Sequence, residues 1–398
     1  MAENKDKKVL NVPNIRFKEF KEEWSRVRLD NFTERILRKN KNNISSLPLT
    51  ISAQYGLVDQ ITFFNKIIAS KDMSNYYLLK KGEFAYNKSY SSDYPWGAIK
   101  RLDNHEQGAL SSLYICFAPQ NNVNSDFLLQ YFESPKWHKE VAEIAVEGAR
   151  NHGLLNISVQ DFFKTHHYIP YTKQEQNKIA TFLSLLDERI ATQNKIIEEL
   201  KQLKNGIIEK QYKNVFNNCR LGDVIKQTSI RNKNKAITNI LSVNNKLGFI
   251  NQREQFEDRI IASDDISNYK IVEKKHFAYN PARINVGSIA QLKTFESGIV
   301  SPMYICFKTK NNIDSDYLEY YFSTLLFKKE VQKRLEGSVR LCLSYEGLCN
   351  IPFFVPNIDE QKRISRELSL LSSKINIEDC YLSILEKQKQ YLLRQMFI

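Results

Sequence analysis

The sequence predicts an α+β protein with two similar domains, each of which is followed by a long helix. Three observations support this fold class. A segment of the first half recurs in the second half, an apolar heptad pattern follows each copy, and short β-rich runs alternate with helical periodicity inside both copies. The chain has 398 residues, which is enough for each domain to bury its own hydrophobic core.

The internal repeat is clearest where residues 68–87 match residues 261–280 at 12 of 20 positions. It continues as "LYICFAPQNNVNSDFLLQYF" from Leu113 and as "MYICFKTKNNIDSDYLEYYF" from Met303. A period near 190 residues is too long for a solenoid repeat and indicates a duplicated domain. Segments 88–113 and 142–169 differ in length from their counterparts and have lost most of their similarity. We therefore expect two related domains that recognise different targets.

Each copy contains a β-rich "YICF" run, which predicts a buried strand. The segment that follows has a Ser-Asp start and apolar residues at helical spacing, which predicts a helix. His166 and His167 are expected to lead into a strand, since no zinc-type spacing surrounds them. The six cysteines form no CxxC pair, and we expect free structural thiols.

A heptad seam follows each domain, where apolar residues step by four and three positions along a predicted long helix. Both helices are predicted to begin with a capping box, formed by Thr172 and Glu175 in the first and by Asn357 and Glu360 in the second. The residues expected to pack along the seams are Ile179, Leu183, Leu186, Ile190, Ile197 and Leu200 in the first helix, and Ile364, Leu368, Leu371, Ile375, Leu382 and Leu385 in the second.

Polar residues interrupt the two seams at matching places, Gln193 with Glu378 and Lys204 with Lys389. This correspondence predicts that the helices pack against each other as an antiparallel, coiled-coil-like pair about 60 Å long, with pseudo-two-fold symmetry. The alternative, that each helix packs only on its own domain, stays open. The predicted boundaries are 1–24 for an N-terminal tail, 25–170 for the first domain, 171–215 for the first helix, 216–356 for the second domain and 357–398 for the second helix.

The composition favours a soluble protein with a polyanionic partner. Lys and Arg number 58 against 45 Asp and Glu, and the resulting net charge of +13 attracts nucleic acid. No apolar run is long enough to span a membrane, and the N-terminus lacks the pattern of a secretory signal. We therefore expect a cytoplasmic protein without a membrane partner.

The sequence carries few motifs that would indicate catalysis. It contains neither the G-x-G-x-x-G nor the G-x-x-x-x-G-K-[ST] fingerprint of nucleotide binding. "NPAR" at 280–283 resembles only part of the N-P-P-aromatic motif of amino-methyltransferases, and "NKSY" takes its place in the first copy. Asp264 and Asp265 lie in the part that both copies share, where Lys71 corresponds to Asp264. We expect no catalytic residue, metal site or cofactor in this chain.

Two basic, amide-rich strings and the diverged loops form the candidate DNA-reading surface. Lys and Arg can bind phosphates, whereas Arg, Asn, Ser and His can hydrogen-bond base edges. The strings, "RKNKNN" at 38–43 and "IRNKNK" at 230–235, occupy matching places in the two copies. The candidates are Lys39, Lys41, Asn42, Asn43, Lys88, Ser89, Tyr90, Ser91, Arg101, Arg150, Asn151 and His152 in the first copy, and Arg231, Lys233, Lys235, Arg283, Asn285 and Arg340 in the second.

Four stretches resemble the specificity subunits of Type I restriction–modification enzymes. "IPYTKQEQNKIATFLSLLDERI" and "VPNIDEQKRISRELSLLSSKI" are similar to the proline–EQ–helix signature that opens each spacer helix of that family. "VPNIRFKEFKEEWSRVRLDNF" and "CRLGDV" are similar to the entries into its first and second target-recognition domains. The chain departs from its own repeat at Ser372, which corresponds to Asp187, and we expect a local effect on helix packing.

The resemblance implies that this chain recognises the DNA sequence and that partner subunits carry out catalysis. Two target-recognition domains, separated by the spacer helices, would each read one half of a bipartite site in double-stranded DNA. The helices would set the distance between the halves and dock two modification subunits, which use S-adenosylmethionine. Restriction subunits, which use ATP and Mg²⁺, would join them. Two other functions remain open, a non-catalytic structural adaptor that binds proteins and a stand-alone DNA-modifying enzyme.

Overall fold

The computed structural model describes residues 10–145, 153–213, 218–245, 247–252, 265–338 and 340–398. The chain forms two compact units. Unit 1 consists of Met1–Asn194 and Tyr381–Ile398, and unit 2 consists of Lys195–Cys380. The division falls inside both long helices, so each helix contributes residues to both units.

The described part of unit 1 contains short strands and four short helices. The strands are β1 (Ser25–Arg28), β2 (Thr33–Arg35), β3 (Pro48–Ser52), β4 (Gly56–Asp59), β5 (Tyr77–Lys80), β6 (Phe84–Asn87), β7 (Ala98–Arg101), β8 (Gln107–Leu110), β9 (Ile115–Pro119) and β10 (His166–Ile169). The helices are α1 (Gln60–Phe64), α2 (Ser125–Glu133), α3 (His138–Ile144) and α4 (Val159–Lys164), with 3-10 turns at Leu29–Asn31 and Lys41–Asn43. The first long helix, α5 (Lys173–Lys213), follows and continues into unit 2.

The described elements of unit 2 follow a similar order. Its described strands are β11 (Cys219–Arg220), β12 (Ile225–Thr228), β13 (Leu241–Asn244), β14 (Gly248–Asn251), β15 (Lys270–Glu273), β16 (Phe277–Tyr279), β17 (Ile289–Gln291), β18 (Ser297–Val300), β19 (Ile305–Thr309) and β20 (Pro352–Phe353). Its helices are α6 (Leu221–Val224), α7 (Ser315–Phe322), α8 (Leu325–Gln332) and α9 (Tyr345–Cys349), with a 3-10 turn at Ile284–Val286. The second long helix, α10 (Ile358–Gln395), begins here and ends in unit 1.

The main sheets of the two units have the same strand order, β2–β9–β6–β7 in unit 1 and β12–β19–β16–β17 in unit 2. The "YICF" runs form the interior strands β9 and β19, so this prediction is confirmed. In β6 and β9, Phe84 lies opposite Phe117, and their rings stack at 5.5 Å. In β16 and β19, Phe277 and Phe307 make the equivalent stack at 5.1 Å. The duplicated pattern therefore produces a duplicated sheet.

The end of a long helix completes the core of each unit. In unit 1, Phe397 at the end of the chain is buried against the rings of Trp24 and Tyr131. In unit 2, Tyr212 near the end of α5 stands against Tyr317, with ring centroids 5.1 Å apart. The Tyr212 hydroxyl also donates a hydrogen bond of 2.6 Å to the Tyr317 carbonyl. Aromatic burial of this kind makes each helix end a structural part of the unit that it enters.

Two predictions about helices need correction. The single helix predicted after each "YICF" strand is two helices, α2 with α3 and α7 with α8. In the first copy the break falls just before Pro135, which disfavours a helical conformation at the preceding residue. In the second copy Thr324 caps a new helix by accepting a hydrogen bond from the Phe327 amide at 3.0 Å.

Only one half of each predicted capping box forms. The Thr172 hydroxyl accepts the Glu175 amide at 3.3 Å, and the Asn357 side chain accepts the Glu360 amide at 2.9 Å. The glutamate side chains have other partners. Glu175 binds Arg16 and Trp24, and Glu360 binds Arg363.

The remaining structural predictions concern cysteines, histidines, membranes and metals. All six cysteines are free, as predicted, and Cys116 and Cys306 are buried. His166 and His167 begin strand β10. None of the described helices is long and apolar enough to cross a membrane. Among the described residues, no group of three or more His, Cys, Asp and Glu side chains could hold a metal ion.

Candidate nucleic-acid interface

The two basic, amide-rich strings fold into matching loops around a buried asparagine. In unit 1 the Asn40 side chain donates to the Ser45 carbonyl at 2.9 Å and accepts the Ser45 amide at 2.8 Å. In unit 2 Asn232 makes the same pair of bonds with Ile237, at 2.8 and 3.2 Å. Both asparagines have no exposed surface. A side-chain amide that satisfies backbone groups in this way fixes the loop conformation.

The repeated phrases "KDMSNYY" and "DDISNYK" anchor these loops. The Tyr76 carbonyl accepts the Asn40 amide at 2.9 Å, and the Tyr269 carbonyl accepts the Asn232 amide at 3.0 Å. The residue before each buried asparagine is a cation, and it donates a hydrogen bond to the carbonyl just before that of the tyrosine. Lys39 donates to the Asn75 carbonyl at 2.9 Å, and Arg231 donates to the Asn268 carbonyl at 3.0 Å.

Aspartates of the same phrases provide a second attachment. Asn43 hydrogen-bonds Asp72 at 3.3 Å, and Lys235 pairs with Asp265 at 3.1 Å. The amide and hydroxyl of Ser267, together with Lys235, lower the pKa of the Asp265 carboxyl to about 2. Bonds from Ser74, with a smaller contribution from Asn43, likewise hold the pKa of Asp72 below its ordinary value. Both carboxylates therefore stay ionised at neutral pH and retain the loops.

These attachments divide the candidates in the strings into two groups. Lys39, Asn43, Arg231 and Lys235 bind the protein itself. Lys41, Asn42 and Lys233 stand exposed at the loop tips. Asn42 has a positive φ of 57°, which asparagine tolerates better than most residues. Asn234 matches Asn42 and is also exposed, and it adds one residue to the candidates predicted from the sequence. Alignment of the two strings would have found it.

The two diverged segments of the first copy lie next to each other in unit 1. The Tyr90 amide donates to the Gly153 carbonyl and the Leu155 amide donates to the Lys88 carbonyl, both at 2.9 Å. Ser89 forms a β-bridge with Leu154. The Lys88 ammonium donates to the Ile157 carbonyl at 3.2 Å, whereas Ser89, Tyr90 and Ser91 are exposed. The segments that changed most between copies thus share one surface.

The corresponding segments of unit 2 meet in the same way. The Leu343 amide donates to the Pro281 carbonyl at 3.1 Å, and the buried Tyr279 hydroxyl donates to the Leu343 carbonyl at 3.2 Å. The 3-10 turn that follows leaves Arg283 and Asn285 exposed. Residues 88–96 of unit 1 contain no such 3-10 turn, so the two copies differ here in structure as well as in sequence.

Arg340 lies in a tight loop that requires glycine. The backbone groups of Glu336 and Cys342 exchange hydrogen bonds at 2.8 and 2.9 Å, which closes the loop. Gly337 has a φ of 116°, and a Cβ atom there would lie 2.4 Å from the Arg340 carbonyl oxygen. Only glycine accepts this conformation. Arg340 is exposed at this loop.

Arg101 occupies a different environment from the other candidates. Its guanidinium binds Asp103 at 2.6 Å and Asp126 at 2.7 Å, and its side chain is 12% exposed. This arginine ties strand β7 to helix α2. The candidates Arg150, Asn151 and His152, together with Asp264 of the carboxylate pair, lie outside the described residues.

Residues of the two predicted seams face the inside of their units. Ile179, Leu183, Ile197, Ile364, Leu368, Ile375 and Leu385 are buried, and Leu186, Ile190, Leu200, Leu371 and Leu382 are half-buried. In unit 1, Lys389 of α10 forms an ion pair with Asp187 of α5. In unit 2, Lys201 of α5 approaches Asp379 of α10 at 3.5 Å.

Comparison with solved structures identifies the class of fold. One similar chain comes from a structure that concerns the assembly and conformational transition of the type I R-M system. It matches this protein with a TM-score of 0.56 at 14% identity, and the match covers 94% of this chain and 97% of that chain. The S subunit of a Type I restriction–modification system from M. genitalium matches with a TM-score of 0.53 at 15% identity, covering 97% and 99%. The α+β fold is thus that of type I R-M system chains.

Sequence comparison leads to more particular relatives, both from Methanocaldococcus jannaschii. The specificity subunit of Type I restriction enzyme MjaVIII is 24% identical over 319 residues, which are 72% of this chain and 73% of the relative. The putative Type I restriction enzyme MjaX specificity subunit is 24% identical over 288 residues, 67% of this chain and 65% of the relative. No protein-family model matches the sequence. The predicted resemblance to Type I specificity subunits is therefore confirmed.

Proposed function

We propose that this protein is the DNA-binding specificity subunit of a Type I restriction–modification complex. One observation supports this function above the others: both units bring their two diverged segments together on one surface, beside a frame that the two copies share. Two domains that recognise different DNA sequences require a common frame and different exposed side chains, and the two copies have both. Similarity to the specificity subunits of M. jannaschii supports the same function.

Each unit would bind one half of a bipartite site in double-stranded DNA. Lys41 and Lys233 at the loop tips are placed to bind phosphates, which position a protein on the duplex without reading sequence. Tyr90, Ser91, Arg283, Asn285 and Arg340 are exposed on the diverged segments and are the side chains that we assign to base reading. Arg150, Asn151 and His152 remain candidates from the sequence alone.

The two long helices would act as the spacer between the readers. Asp187 pairs with Lys389 and Lys201 approaches Asp379, so later positions of α5 meet earlier positions of α10. This trend supports an antiparallel, coiled-coil-like arrangement with pseudo-two-fold symmetry, in which the helices determine how far apart the half-sites lie. Half-sites on one face of a duplex recur about every 34–36 Å.

Catalysis would belong to partner subunits. Two modification subunits would dock on this chain and methylate DNA with S-adenosylmethionine, and restriction subunits that use ATP and Mg²⁺ would join them. This chain would contribute recognition without a cofactor of its own, in the cytoplasm where the DNA lies.

Footprinting of the assembled complex tests the proposal. We expect two protected half-sites with an unprotected gap, and binding that weakens steeply with salt because phosphate contacts release counterions. Replacing residues 25–160 with the matching segment of another specificity subunit should change one half of the methylated sequence and leave the other half unchanged. A single continuous footprint, or a change in both halves, would contradict the assignment of one reader to each unit.

A further inference from the structure

The matched polar position on the two spacer seams has a different chemistry in each unit. In unit 1, Lys389 of α10 forms an ion pair with Asp187 of α5, and its side chain is 18% exposed. The Gln130 side chain of α2 donates a second hydrogen bond to Asp187 at 2.8 Å. A half-buried ammonium thus has a carboxylate partner that is itself held in place.

In unit 2 the matching lysine has lost that partner. Lys204 corresponds to Lys389, Ser372 corresponds to Asp187, and Tyr320 corresponds to Gln130. The Ser372 hydroxyl donates to the Leu368 carbonyl of its own helix at 2.8 Å. The Lys204 ammonium lies 5.7 Å from the centre of the Tyr320 ring. Among the described residues, no carboxylate forms an ion pair with Lys204.

The acidic groups nearest to this lysine are already occupied. Glu319 and Asp316 of α7 both bind the Lys293 ammonium, Asp316 at 3.1 Å. Burial lowers the pKa of Lys204, and the attraction of Glu319 only partly opposes this effect. A partly buried ammonium without a dedicated counter-charge is unfavourable, and an anion brought from outside would relieve that cost.

Lys204 opens into a cavity of about 640 Å³ that lies within unit 2. Lys293 and Lys328 also line this cavity, and among the described residues that line it Glu319 is the one with a carboxylate. The hydroxyls of Ser369 and Ser373 and the amide of Asn376 add uncharged hydrogen-bond donors. Lysines and hydroxyls that line one cavity from several elements suit a tetrahedral anion with several acceptor oxygens.

We propose that this cavity binds a phosphoryl group. The phosphoryl group pairs with the Lys204 ammonium, as the Asp187 carboxylate pairs with Lys389 in unit 1. The same chemistry describes free phosphate or a phosphorylated metabolite and a backbone phosphate of bound DNA. The site follows from unit 2 alone and does not depend on the proposed function.

Calorimetric titration of the full chain with inorganic phosphate, at constant ionic strength, tests the site. We expect one phosphate per chain. Ser372→Asp supplies the missing carboxylate and should weaken phosphate binding at least tenfold, as should Lys204→Met. The matched controls are Ser184→Asp, which adds the same charge at the corresponding position of Ser369 on α5, and Lys387→Met, which removes an exposed lysine of α10. Both controls should bind phosphate like the parent protein.

Thermal unfolding separates loss of the site from loss of the fold. Ser372→Asp should unfold at the parent temperature or above in chloride, because the new carboxylate pairs with Lys204, and phosphate should no longer raise that temperature. Unchanged phosphate binding in both Ser372→Asp and Lys204→Met would overturn the proposal, as would the absence of phosphate binding by the parent chain in both titration and thermal unfolding.

A second measurement identifies the source of the phosphoryl group. Binding of a labelled duplex of about 30 base pairs is measured against salt for the parent and for Lys204→Met. If DNA supplies the phosphate, the variant should lower the salt slope by about one charge and free phosphate should compete with DNA. An unchanged slope, together with phosphate binding that DNA does not displace, assigns the site to a free phosphate or metabolite.

Discussion

At the scale of single residues, Glu175 has a role that its sequence pattern conceals. Its position three residues after Thr172 is typical of a capping box. In the structure its buried carboxylate accepts bonds from Arg16, at 2.7 and 2.8 Å, and from the indole of Trp24, at 3.1 Å. The residue therefore joins the segment before β1 to the start of α5. Glu360, which has the same place in the second copy, forms an exposed pair with Arg363.

Glu175→Gln should destabilise the protein, because it leaves the Arg16 guanidinium without its counter-charge. We expect the free energy of unfolding to fall by about 2–4 kcal/mol. Urea denaturation measures this change, followed by tryptophan fluorescence for unit 1, which contains all three tryptophans, and by circular dichroism for both units. Glu360→Gln is the matched control and should leave stability unchanged. An equal decrease in the free energy of unfolding in the two variants would show that the bonds of Glu175 with Arg16 and Trp24 contribute no additional stability.

His167 is a second residue whose environment was not apparent from sequence. Its ring is buried between the Tyr131 hydroxyl and the Thr165 hydroxyl, each 2.8 Å from a ring nitrogen. Burial, with smaller contributions from His166 and Arg26, lowers the pKa of His167 to about 3. The folded protein therefore keeps this imidazole neutral at a pH where the unfolded chain protonates it.

This pKa difference predicts a loss of stability in acid. Between the ordinary histidine pKa near 6.5 and about 3, the unfolded state binds one more proton at this residue, so stability is retained above that range and decreases as pH falls through it. The slope from His167 is at most about 1.4 kcal/mol per pH unit. His167→Gln should remove this component, so urea unfolding at several pH values should give a shallower pH dependence than in the parent. Parallel pH profiles would contradict a neutral buried His167.

At the scale of elements, prediction succeeded where a pattern is local and failed where a partner is distant. The strands β9 and β19 follow from their own "YICF" residues, and both long helices follow from heptad periodicity. Asn40 and Asn232, in contrast, depend on carbonyls that lie some 36 residues further along the chain. The sequence around these asparagines predicts basic, phosphate-binding loops. It does not indicate which of the cations form bonds with other residues of the protein. Comparison of the two copies identifies which loop residues are candidates for DNA binding. Only the contacts in the structure separate the candidates that bind the protein itself from those that are exposed.

Asn40→Ala tests whether the buried asparagine holds its loop. The substitution leaves the amide and carbonyl of Ser45 without their partner, and we expect the free energy of unfolding to fall by about 1–3 kcal/mol. Lys41→Ala, at the exposed neighbouring position, is the control for stability and should change it by less than about 0.5 kcal/mol. Hydrogen exchange of the Ser45 amide, which should accelerate in Asn40→Ala only, checks the local mechanism. Similar exchange rates in both variants would refute it.

At the scale of the whole molecule, duplication explains more than either copy does alone. Each unit contains one sheet domain and a part of both long helices, and an aromatic residue at a helix end completes each core. The sequence predicts the two domains and the two helices, because these follow from periodicity and similarity. It does not predict that Phe397 packs against Trp24 and Tyr131, because these residues lie far from Phe397 in the sequence.

Lengthening a spacer helix tests the proposed link between helix length and target. Four residues inserted between Asn194 and Lys195 add about one helical turn, or 6 Å. Because successive base pairs rise by about 3.4 Å, the gap between the two methylated half-sites should grow by one or two base pairs while both half-sequences stay the same. Methylome sequencing of cells that express the variant with its partner subunits measures the gap. The matching insertion in α10 should have the same effect, and Glu198→Ala with Glu199→Ala, which changes the exposed face without changing length, should have none. An unchanged gap in an active, methylating insertion variant would show that these helices do not set the spacing.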